Sequence, residues 1–89
     1  MGKRVVVGYM KGRVHGLLME DLLQKEGIPA FSEHGIVMSQ ITESQPCRIF
    51  VDSEMMKYEL IPVLEHILGE DVSYEGIAEL KQILSESTY

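Results

Sequence analysis

The chain has no tryptophan, a single cysteine, three prolines and only eight basic residues against fourteen acidic ones. Each shortage excludes something. With Cys47 alone no internal disulfide can close, and a reducing cytoplasm is the simplest compartment. No apolar run approaches the ~20 residues that a bilayer-spanning helix needs, so no membrane span is expected. The opening Met1-Gly2-Lys3-Arg4-Val5-Val6-Val7 meets Gly8 and Tyr9 before it reaches the apolar length of a secretory signal. The net charge of -6 is unevenly placed: residues 1–53 hold six acids and six bases, whereas residues 54–89 hold eight acids against Lys57 and Lys81. Nucleic-acid binding draws its affinity from Lys and Arg on phosphates, so an acidic segment without a basic stripe argues against that partner.

What is present is an ordinary globular composition, 45% apolar and 25% charged, which separates the chain from disordered sequences. Its 89 residues allow one core with little stability to spare. Three consecutive valines within Arg4 to Tyr9 read as a strand buried on both faces, hence central in a sheet. A helix over residues 13–26 follows, with Val14, Leu17, Leu18 and Leu22 as its apolar face and Gly27 and Pro29 as its stop. Ile28-Pro29-Ala30-Phe31 begins an extended edge segment with Phe31 toward the core. His34-Gly35 then reads equally as a hairpin turn or a bulge before Ile36-Val37-Met38, and residues 39–46 read as a polar loop around Ile41.

Arg48-Ile49-Phe50-Val51 is the next strand, and Asp52-Ser53-Glu54 supplies capping chemistry for a second helix over residues 54–68. That helix carries Met56, Leu60, Val63, Leu64 and Ile67 on one stripe, and Pro62 inside it predicts a kink. A third helix over residues 73–85 presents Ile77, Leu80 and Leu84. The order predicts an α+β fold: a ferredoxin-like βαββα sandwich, with helices on one face of a small mixed sheet, plus a C-terminal helix. Residues 1–69 form the ferredoxin-like domain in this reading and residues 70–89 an acidic helical extension. The fourth strand of that plan is supplied by Asp71 to Tyr74, or the edge beside the first strand is filled by another protomer.

The Val5-Val6-Val7 strand, the run from Leu17 through Glu26-Gly27-Ile28-Pro29-Ala30-Phe31, and Ile49-Phe50-Val51-Asp52 leading into a helix together resemble the prokaryotic signal-transducing domain family of unknown function. The resemblance covers residues 4–68. It implies a ferredoxin-like fold grouped near the PII regulatory proteins, and with it regulation and homo-oligomerisation. It assigns no site residue, and the chain has His15-Gly16 where family members more often have an acid and an alanine.

Chemistry is sparse. Gly8, Lys11, Gly12 and Arg13 lie on a glycine-bearing passage from strand to helix, where backbone N–H groups and two cations suit a small anionic ligand. The same residues also read as an ordinary solvated turn, and they match neither the Walker nor the dinucleotide-binding pattern. His15, His34 and His66 lack ligand spacing, with Glu33 and Glu70 as the nearest carboxylates to consider, so no metal and no cofactor is expected. Cys47 beside Arg48 has no base or oxyanion partner in view and reads as a small hydrophobe at the start of a strand. Glu20-Asp21 and Glu70-Asp71 read as solvated charge, and Met55-Met56 as core filler. No catalytic set emerges, so an enzyme is not expected. The reading is a regulatory, self-associating binding module that senses a small anion at Gly8, Lys11, Gly12 and Arg13; the alternative is a protein-interaction scaffold without a small ligand.

Overall fold

The structure, a computed structural model, describes residues 3–33 and 46–86. The expectations for His34-Gly35, Ile36-Val37-Met38 and residues 39–45 fall outside them. The elements run β1 (Arg4–Lys11), α1 (Gly12–Lys25), β2 (Ala30–Glu33), β3 (Pro46–Asp52), a 3-10 turn at Tyr58–Leu60, α2 (Ile61–Leu68), a second 3-10 turn at Gly69–Asp71, and α3 (Tyr74–Glu86). Among the described residues the protein is a small α+β fold of three helices and a three-stranded sheet.

The strand order is β1-β3-β2, and β3 runs antiparallel to both neighbours. The sheet is therefore antiparallel throughout and not mixed, because β3 inserts between the two strands that α1 connects. This also corrects the position of the valine strand: β3 is central and β1 lies beside it. Val5 and Val7 are buried, while Val6, pointing the other way, is only half-buried. Between Val6 and Gly8 the register shifts by one residue, a β-bulge that lets Val7 and Met10 both reach the core.

The core gathers Val5, Val7, Met10, Ile49 and Val51 from the sheet with Leu23 of α1, Ile61, Leu64 and Leu68 of α2, and Ile77, Leu80 and Leu84 of α3. Burying each such aliphatic side chain stabilises the fold by ~1.5–3 kcal/mol. The stripe expected on α3 is the one that is buried. On α1 the outcome is the reverse. Gly16 and Leu23 are buried and Met19 is half-buried, whereas Val14, Leu17, Leu18 and Leu22 are exposed. The cause is Gly16, where an added Cβ would collide with the Cys47 sulfur. A glycine there brings the helix backbone down onto β3, and that contact sets the helix's rotation.

Two further expectations are corrected. Phe31 does not face the core; it lies half-buried on the opposite face of the sheet, while Ile28 and Ala30 are buried. The second helix starts at Ile61, not near Glu54, and Pro62 occupies its first turn without kinking an interior. Proline lacks only an N–H that is orphaned at that position anyway. Ser53 does not cap a helix either. Its N–H and hydroxyl both donate to the Lys3 carbonyl, at 2.9 and 2.7 Å, which fastens the end of β3 to the start of β1.

Candidate functional site

The four residues expected to form an anion site are divided by the fold. Gly8 is buried inside β1, where an added Cβ would sit 3.0 Å from the Asp71 carbonyl oxygen and 3.0 Å from Leu68. Lys11, Gly12 and Arg13 stand at the junction of β1 and α1. The strand passes into the helix with no intervening loop, which Gly12 permits by adopting φ +83°. Lys11 and Arg13 are exposed, and neither side chain forms an ion pair with another described residue. His15 Nδ1 lies 3.0 Å from the Lys11 carbonyl, so its ring folds back on the junction.

The two outer edges of the sheet are both occupied. Beside β1, Gly8 forms an antiparallel bridge with Val72, and the Ser73 N–H donates to the Val7 carbonyl at 2.7 Å. α3 then follows along β1, with Gly76 against the Val6 carbonyl. Beside β2, Ser32 N–H donates to Glu20 Oε1 at 3.0 Å, and Gln24 Nε2 donates to the Ala30 carbonyl at 2.8 Å. Ala30 and Ser32 are two residues apart, so these groups point to the same side of the strand. Two side chains of α1 therefore take two of the groups that a further strand would need, which is how natural sheets hinder edge-to-edge pairing.

Among the described residues no helix packs on the sheet face opposite the core. Val6, Phe31 and Phe50 are half-buried there, flanked by Tyr9, Arg4 and Arg48. Phe31 and Phe50 stack with centroids 6.5 Å apart and planes 20° apart. Arg4 lies over the Phe31 ring at 4.8 Å and Arg48 over the Phe50 ring at 5.7 Å, while Arg48 also meets Glu33 at 3.4 Å. Aromatic rings with arginines are the composition enriched at the centres of protein interfaces. None of these residues was singled out as functional from the sequence. The signal was the period of two in Arg48-Ile49-Phe50-Val51, which places Arg48 and Phe50 on one face and Ile49 and Val51 on the other.

Cys47 is buried on the helix side of β3 against Gly16. Burial pushes its thiol pKa up, the nearby Glu20 carboxylate adds to that, and hydrogen bonding from Ser32 and the Glu33 backbone opposes it. A thiol so held is a poor nucleophile at neutral pH. Among the described residues no three His, Cys, Asp or Glu side chains gather as a metal site, and no helix is long and apolar enough to cross a membrane.

The chain matches no known family profile, no curated protein and no solved structure.

Proposed function

We propose that this protein is a self-associating regulatory or binding module in which copies meet through the sheet face opposite the helices. The observation that carries this reading is that, among the described residues, both sheet edges carry partners while no helix packs on the face bearing Arg4, Tyr9, Phe31, Arg48 and Phe50. Edge pairing between copies is thereby disfavoured, and packing of one face on another is the remaining way for the sheet to bury its aromatic rings. The face carries Glu33 and Asp52 as well as Arg4 and Arg48, so charges of both signs are present for an identical face to meet.

The reading includes a ferredoxin-like plan. In its favour are the insertion of β3 between β1 and β2, the crossover by α1, and the single bridge at Val72 where a fourth strand of that plan pairs. The regulatory role rests on the resemblance of residues 4–68 to the signal-transducing family. The Lys11-Gly12-Arg13 junction is the proposed place for a small anionic ligand, supported by two exposed cations beside the backbone N–H groups of the first turn of α1.

Sedimentation of the full chain from micromolar to millimolar concentration tests the assembly. Association that weakens at least tenfold in Arg48→Glu and in Phe50→Glu, with helical content unchanged, supports it; a monomer throughout overturns it. For the ligand, titration with phosphate and nucleotides should move the Gly12 and Arg13 amide resonances. No response at millimolar ligand removes that part.

A further inference from the structure

We draw no further inference here: the strongest candidate, the outward face of α1 on which Val14, Leu17, Leu18 and Leu22 are exposed, carries nothing because nothing in the structure shows what covers it.

Discussion

Gly76 of α3 rests on the carbonyl of Val6, leaving no space between helix and strand for even one methyl group. Glycine inside a helix ordinarily costs about 1 kcal/mol relative to alanine, so its presence there is explained by that approach. It lets α3 close the outer edge of β1 while Ile77, Leu80 and Leu84 reach the core. Gly76→Ala is expected to destabilise the protein by about 1–3 kcal/mol through overpacking against backbone that cannot yield. Urea denaturation measures this, with the exposed Glu75→Ala as a control that should stay within ~0.5 kcal/mol.

Glu20 and Gln24 guard the edge of β2. Glu20→Ala leaves the Ser32 amide without its carboxylate partner, and a loss of about 1 kcal/mol is expected. The more discriminating readout is hydrogen exchange. Protection of the Ser32 amide should fall in Glu20→Ala, whereas protection at Ile49 in the centre of the sheet should change little. The double variant with Gln24→Ala should also aggregate faster, since the Ala30 carbonyl and the Ser32 N–H then lose their α1 partners and can pair.

The raised pKa of Cys47 ties stability to alkaline pH. Folding disfavours the thiolate, so the native chain holds its proton to higher pH than the unfolded chain does. Stability from this group is complete below the unfolded thiol value of ~8.5 and declines as pH rises from there toward the folded value. Other groups titrate in the same range, so the measurement is the difference between wild type and Cys47→Ala. The substitution should cost stability at pH 7 through the space it leaves, and the gap should narrow by pH 10. A gap constant with pH would contradict the burial argument.

Gly27 adopts φ +83° with no atom near its missing Cβ, so Gly27→Ala isolates backbone strain from packing. A loss of about 1–2 kcal/mol is expected, as for any side chain forced into the left-handed region. Gly27→Asn should lose less, because asparagine tolerates that conformation. Thermal unfolding of the two variants compares them directly.

Much of the architecture was legible before any coordinates. Gly27 and Pro29 mark the end of α1, the β-branched run marks β1, and Ile77, Leu80 and Leu84 mark the face of α3, because each signal arises within a few neighbouring residues. Pro62 misled because a proline that starts a helix and one that kinks it look alike until the helix boundary is known. On α1 the apolar periodicity is genuine, and it points outward.

The sequence by itself determined the courses of β1, α1, β3 and α3, the single cysteine, and the acidic balance of residues 54–89, since composition and short-range periodicity carry all of these. The tertiary structure alone decided which face of α1 is buried, that both sheet edges carry partners, and that Arg4, Tyr9, Phe31, Arg48 and Phe50 share one face of the sheet. Those outcomes depend on approaches between residues far apart in the chain, Gly16 to Cys47 and Gly76 to Val6 above all. There the lack of a side chain at one position fixes how closely two backbones meet, and no local pattern records that distance.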